Sequence, residues 1–159
     1  MEISVMIEIP SGCRNKYEYD HVNKVMRFDR MLFSSVHYPS DYGFVIDTLG
    51  EDGDPLDVLV VVWEPTFPGC VMDVKPIGVF KMSDDKGVDQ KIICVPISDP
   101  LWNHIKELKD LPPHLLPEIE HFFSIYKDLE QKKVHVEGWG DRIEAEKIVK
   151  ESQARFKKS

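Results

Sequence analysis

Cysteine is scarce and poorly spaced for bonding: the 159 residues hold three, Cys13, Cys70 and Cys94, with no C-x-x-C pair among them. That argues against a disulfide framework and a thiolate zinc site, and fits free thiols in a reducing compartment. Long apolar runs are also missing. No stretch approaches membrane-spanning length, and Met1–Glu8 carries acids where a targeting leader would carry a basic segment. The expectation is a cytoplasmic protein with no membrane partner. Positive charge is in deficit, 20 Lys plus Arg against 28 Asp plus Glu for a formal charge of -8, so nothing steers the chain toward nucleic acid. Repeats, linkers and low-complexity segments are lacking as well. One domain over residues 1–159 is the expectation, and 42% hydrophobic content suffices for its core.

What the chain does have is acid, concentrated. Glu51-Asp52-Gly53-Asp54-Pro55-Leu56-Asp57 puts four carboxylates into seven residues and runs into Val58-Leu59-Val60-Val61-Val62-Trp63. Gly and Pro punctuation makes the first part a turn, and the apolar run reads as a buried strand from Val58 to Trp63. A turn uses one or two Asp side chains for its own hydrogen bonds, which leaves Asp57 unexplained. A helix-loop-helix calcium site fails on spacing: counted from Asp52, the fifth, sixth and twelfth positions are Leu56, Asp57 and Trp63. A hard-cation site built of carboxylate oxygens remains.

Along the chain, Ile3, Val5, Ile7 and Ile9 alternate in a strand with Glu8 on the opposite face. In Lys16–Asp20, Lys16, Glu18 and Asp20 share one face and two tyrosines the other. Val25–Arg30 is a third strand in which strict alternation groups Arg30 with Met26 and Phe28, so either the strand ends there or a bulge re-aims that arginine. His37–Phe44, with Tyr38 and Tyr42, reads as a turn. A hairpin follows with arms Val74–Met82 and Lys91–Ile97; its connection carries Asp84, Asp85 and Asp89, more acid than a turn needs. From Asp99 the period lengthens to 3.6. Asp99-Pro100 starts a helix with Leu101, Trp102, Ile105 and Leu108 on one face, and a longer helix after Pro113 presents an apolar stripe from Leu115 to Leu129. Lys133–Trp139 alternates again and closes the sheet. Asp141 and Glu144 form a capping box for a last helix with Ala145, Ile148, Val149 and Phe156 inward. Strands first and helices after is an α+β order, and short antiparallel strands fit a small barrel with helices outside.

If a barrel gathers Glu8, Glu18, Asp52, Asp54, Asp57, Asp84, Asp85 and Asp89, their repulsion must be answered, since two carboxylates about 5 Å apart repel by roughly 3 kcal/mol at an effective dielectric of 20. Divalent cations answer it, and without Cys or His among the donors they point to magnesium over zinc. Lys16, Arg30, Lys91 and Lys127 would add positive charge for an anionic substrate. A nucleic-acid-binding barrel would want a basic groove, and a calcium-binding structural module leaves those four cations without a purpose.

Asp52-Gly53-Asp54-Pro55-Leu56-Asp57-Val58 resembles the signature of the soluble family I inorganic pyrophosphatases of bacterial type, and the rest of the chain matches that family nearly end to end. The resemblance implies an OB-like five-stranded antiparallel barrel with helices packed outside and a C-terminal helix. It implies hydrolysis of magnesium pyrophosphate to two orthophosphates by a metal-activated water, which draws pyrophosphate-releasing biosynthesis forward. Three to four Mg2+ ions would act with substrate, Mn2+ or Zn2+ being possible substitutes. Asp52, Asp57 and Asp89 would hold the first ion, with Asp57 bridging to a second; Asp84 and Asp89 would hold an ion arriving with substrate, and Glu8 would lie near a further one. Asp54 would take the proton from the attacking water, with Asp89 the competing base. Lys16, Arg30, Tyr42, Lys91, Tyr126 and Lys127 would bind phosphate, with Glu18, Tyr38 and Asp85 behind them. Asp85 stands where many relatives have Glu, and Ile125 where many bacterial relatives have a second His. The family's common assembly, a homohexamer, is expected.

Overall fold

Burial follows alternation most cleanly in β1 (Ile3–Ile9), where Ile3, Val5, Ile7 and Ile9 are all buried in the computed structural model, which describes residues 1–159. β1 carries an irregularity with a purpose. Ile7 pairs with Gly43 and Ile9 with Tyr42, so Glu8 is an extra residue in the ladder and its side chain is re-aimed. β2 (Asn15–Asp20) and β3 (Val25–Met31) form a separate two-stranded sheet. There Lys16 pairs with Arg30 and Tyr17 with Phe28, leaving Asp29 bulged. The bulge, and not a strand end, redirects Arg30. Phe28, expected on an apolar side, stands exposed.

β4 (Asp41–Val45) occupies part of what the pattern marks as a turn: Gly43 lets its backbone lie close against β1, giving Tyr42 a rigid strand position. β5 is Asp57–Val60, shorter than its apolar run, and Asp57 is its first residue. β6 (Val71–Asp84) and β7 (Gly87–Pro96) make a hairpin whose arms are longer than expected, with only Asp85 and Lys86 between them and Gly87 at φ +113°. Asp84 and Asp89 are therefore strand residues.

The ring runs β1, β4, β5, β7, β6 and back to β1. Four of its joints are antiparallel and one, β5 with β7, is parallel. Direction must alternate around an all-antiparallel ring, and an odd number of strands cannot alternate and still close. The expected all-antiparallel arrangement is thus corrected to an OB-like mixed ring. β8 (His135–Gly140) does not close it; it pairs along the far end of the long β6, outside the β1 contact.

Helices cover two sides. One apolar cluster joins the ring to α1 (Leu115–Ile125) through Phe80, Ile93, Ile119, Phe122 and Phe123. The other joins it to α2 (Arg142–Lys158) through Val79, Ile92, Ala145, Ile148 and Val149. The Asp99 helix is not formed: Trp102 and Ile105 are buried within turns, Leu101 is exposed, and a short 3-10 turn spans Leu108–Asp110. Two anchors so close together are satisfied by a turn, and a short isolated helix has little stability of its own. The longer helix stops at Ile125, a second 3-10 turn covers Asp128–Glu130, and Leu129 faces solvent. Asp141 caps α2, accepting from Glu144 N at 2.9 Å, but the Glu144 carboxylate pairs with Lys81 at 3.0 Å in place of closing a capping box. Phe156 is exposed near the free end of α2.

A methyl group on Gly43 would fall on the Met6 carbonyl oxygen and lie 2.9 Å from Ile7 Cα, both backbone atoms that cannot rotate away. Gly43→Ala is expected to destabilise the fold by about 3 kcal/mol in denaturant titration; a loss under about 1 kcal/mol would mean that the β1 and β4 ladder relaxes freely.

Candidate active site

A cup of about 440 Å³ opens where the acidic turn, the mouth of the ring, the β2–β3 hairpin and the end of α1 meet. Each wall has its own origin. The β1 bulge supplies Glu8; β2 supplies Lys16 and Glu18; Tyr38 and Tyr42 come from before and within β4. The turn brings Asp52 and Asp54, the start of β5 brings Asp57, the β6–β7 hairpin brings Asp84, Asp89 and Lys91, and the chain leaving α1 brings Tyr126 and Lys127. Residues far apart in sequence are thus gathered in one cavity.

Two expected members do not line it. Asp85 sits in the hairpin turn beyond the lining. Arg30 is engaged outside it, with Nη1 2.5 Å from Asp29 and Nη2 2.9 Å from Glu130. Its buried Nε and the buried Glu130 Oε2 have no partner. Lys16 bonds Asp29 at 3.1 Å and also Glu18, so Asp29 links two cations. Sequence pattern gives no hint of Glu130, which follows a helix end. Lys86 and His21 also line the cup; Lys86 was legible only as a lone cation between acids in a hairpin loop, and His21 is held against Tyr19 and Phe44 by ring contacts at 4.9 and 5.0 Å.

Lys91 governs the electrostatics. In the parallel β5–β7 register it stands beside Asp57, and its buried Nζ donates to Asp57 at 2.9 Å, to Asp89 at 3.0 and 3.2 Å, and to Tyr42 at 3.1 Å. The rings of Tyr42 and Phe123 lie 5.2 and 5.0 Å away. Burial alone would depress its pKa, but Asp57, Tyr42 and Asp89 hold it well above the lysine range. Glu8 is pushed up to about 7, first by burial, which the bond from Tyr19 N at 2.7 Å offsets only in part, with Asp57 adding to the rise. Burial pushes the Tyr126 phenol up to about 12, so it remains a hydrogen-bond donor at neutral pH. Lys127 is lowered by burial and then by Lys91.

The donor set fits a hard cation. Every candidate ligand is a carboxylate oxygen, two of them already converge on one positive atom at Lys91 Nζ, and Glu8 is a half-buried carboxylate bonded by Tyr19 N and by no cation. No three acids lie close enough to form a finished ligand cage.

Acidic oxygens thus meet buried donors at the mouth of an OB-like ring. The inorganic pyrophosphatase profile matches residues 5–157. An inorganic pyrophosphatase of Methanosarcina mazei is 62% identical over 152 residues, covering 96% of this chain and 90% of that protein. One from Streptomyces coelicolor is 53% identical over 159 residues, covering 99% and 97%. The crystal structure of inorganic pyrophosphatase from Thermus thermophilus superposes with a TM-score of 0.95 at 43% identity, covering 98% of this chain and 91% of that one. The chain belongs to the inorganic pyrophosphatase family.

Lys91→Met keeps the side-chain length but leaves Asp57 and Asp89 facing each other without a counter-charge. It is expected to cost about 3 kcal/mol of stability by denaturant titration in chelator-treated buffer; a neutral result would show that the two carboxylates do not need the ammonium.

Proposed function

We propose that the cup hydrolyses inorganic pyrophosphate to two orthophosphates with magnesium, and that one domain spanning the 159 residues carries the whole reaction. The observation that supports this most is the meeting of two kinds of group in one cavity, carboxylates interleaved with ammonium and phenol donors. A small polyanion accompanied by cations needs both. When bound, magnesium neutralises the substrate, keeps attack and departure in line and acidifies the attacking water.

Asp52, Asp57 and Asp89 would hold the first ion, with Asp57 shared with a second; Asp84 and Asp89 would hold an ion entering with pyrophosphate, and Glu8 a further one. Three to four Mg2+ would act with substrate, with Mn2+ or Zn2+ as substitutes. Asp54 accepts the proton from the attacking water. Asp89, already assigned to two ions, is the alternative acceptor, whereas Asp54 lies exposed in the turn. Lys16, Tyr42, Lys91, Tyr126 and Lys127 bind phosphoryl oxygens. Arg30 joins them from the rim by exchanging Asp29 or Glu130 for phosphate. Glu18 holds Lys16, Tyr38 packs against the Tyr42 ring at 5.2 Å, and Asp85 acts from the hairpin turn.

No helix is long and apolar enough to cross a membrane. The enzyme works in the cytoplasm, where its three free thiols stay reduced and where removing pyrophosphate draws pyrophosphate-releasing biosynthesis forward. It assembles as a homohexamer, and exposed apolar side chains such as Trp63 and Phe67 support a partner surface.

Phosphate release from pyrophosphate with magnesium, and little with calcium, is the test, with sedimentation at six times 18.4 kDa as the check on assembly. Calcium takes more ligands at longer range and acidifies water less, so equal turnover with calcium would overturn the mechanism. Two substitutions then separate ligand from base. Asp57→Asn should weaken magnesium binding and turnover together, with partial rescue by excess magnesium. Asp54→Asn should leave magnesium binding nearly intact while lowering the rate by roughly 10² to 10⁴ with an altered pH profile. Magnesium rescue of Asp54→Asn would make Asp54 a ligand and move the base to Asp89.

A further inference from the structure

The acidic turn is tied down from outside the cup. At its root, Thr48 is buried, its hydroxyl donating to Val45 O at 2.6 Å and accepting from Leu56 N at 3.0 Å, which pins the two ends of the loop together. Both backbone groups of Leu49 are then held by the C-terminal helix. Leu49 N donates to Ser152 O at 3.0 Å, and Arg155 Nε donates to Leu49 O at 2.9 Å. The same guanidinium donates through Nη2 to Ser152 Oγ at 3.0 Å, so one planar fork ties the loop carbonyl to a fully buried hydroxyl. Directly after Leu49, Gly50 N donates to Asp54 O at 2.7 Å, and a methyl group on Gly50 would lie 2.8 Å from Asp52 Oδ1. Any shift of Leu49 therefore passes directly to Asp52 and Asp54.

The α2 helix has little other use for these contacts. Ala145, Ile148 and Val149 already anchor it to the ring, one to two turns earlier. Arg155 is only half-buried, and it lines a small cavity behind the turn together with Asp52, Asp57 and Asp89.

We propose that Arg155, acting with Ser152, is a positioning residue that fixes the acidic turn at the spacing its carboxylates need to share cations. This rests on reading the cup as a magnesium site. Arg155 bonds none of the cup's carboxylates; it acts through the Leu49 carbonyl.

The test compares Arg155→Ala, Arg155→Lys and, as a control at the solvent-facing end of the same helix, Lys158→Ala. Two measurements are made without substrate: backbone hydrogen exchange of residues 49–56, and magnesium binding by calorimetry well below the unfolding temperature. Arg155→Ala is expected to speed exchange in that segment while leaving the ring strands unchanged, and to weaken magnesium binding about 10-fold. Arg155→Lys, which keeps the charge and the stem but loses the fork, should recover part of both, and Lys158→Ala should change neither. Unchanged exchange at 49–56, exchange raised throughout the ring, or unchanged magnesium affinity would each overturn the proposal. If Arg155→Ala does not fold, Arg155→Lys is judged by the same criteria. A wild-type protein that binds no magnesium would sink the reading of the cup, while the exchange pattern would still report separately whether Arg155 holds the turn.

Discussion

One ammonium group taken out of water sets the terms for the rest. Moving a lysine charge into a protein interior costs several kcal/mol, and Lys91 recovers that only because Asp57, Asp89, Tyr42 and two aromatic faces surround it. The ring geometry is the means of holding the ammonium and its two carboxylates in place. β5 and β7 must be neighbours for Asp57 to meet Lys91, and β4 must lie close to β1 and β5 for the Tyr42 hydroxyl to reach the same nitrogen. Gly43, next to Tyr42, is where that closeness is enforced.

Much of this was legible in the residues. The period of two in β1, the apolar positions of α1 and the Asp141 cap all reflect local rules that the structure follows; the run after Asp57 is buried only through Val61, and Trp63, expected inside that strand, stands exposed. The failures share a physical cause. A bulge is created by the register of a partner strand, so nothing within Ile3–Ile9 announces that Glu8 is the extra residue, and only the awkward placement of Arg30 hinted at the bulge beside it. Trp102 and Ile105 have helical spacing, but burial alone accounts for them, and a few turns bury both without a helix. Leu129 satisfied the apolar stripe in sequence and not in space, because the chain leaves the helix at Tyr126 and Lys127 to bring those two side chains to the cup.

For the site, clustering of acid beyond what turns require was the readable signal, and it located Asp52, Asp54, Asp57, Asp84 and Asp89 in one cavity. Cations were harder. Lys16, Lys91 and Lys127 line the cup while Arg30 is drawn aside by Asp29 and Glu130, a competition between carboxylates and the cup that depends on three-dimensional proximity alone. The ties at Thr48, Ser152 and Arg155 were invisible for the same reason: a hydroxyl and a guanidinium on distant segments acquire meaning only when Leu49 lies between them.

The single parallel joint has a consequence for how the protein comes into being. β7 is the last stave of the ring to leave the ribosome, and it is the one that slides between β6 and β5. Until it arrives, β5 keeps an unpaired edge, and Asp57 has neither its lysine nor its fellow acid from the hairpin. One strand therefore completes the barrel and delivers the counter-charge in the same motion. A chain that ends before β7 has neither a closed ring nor Lys91 and Asp89.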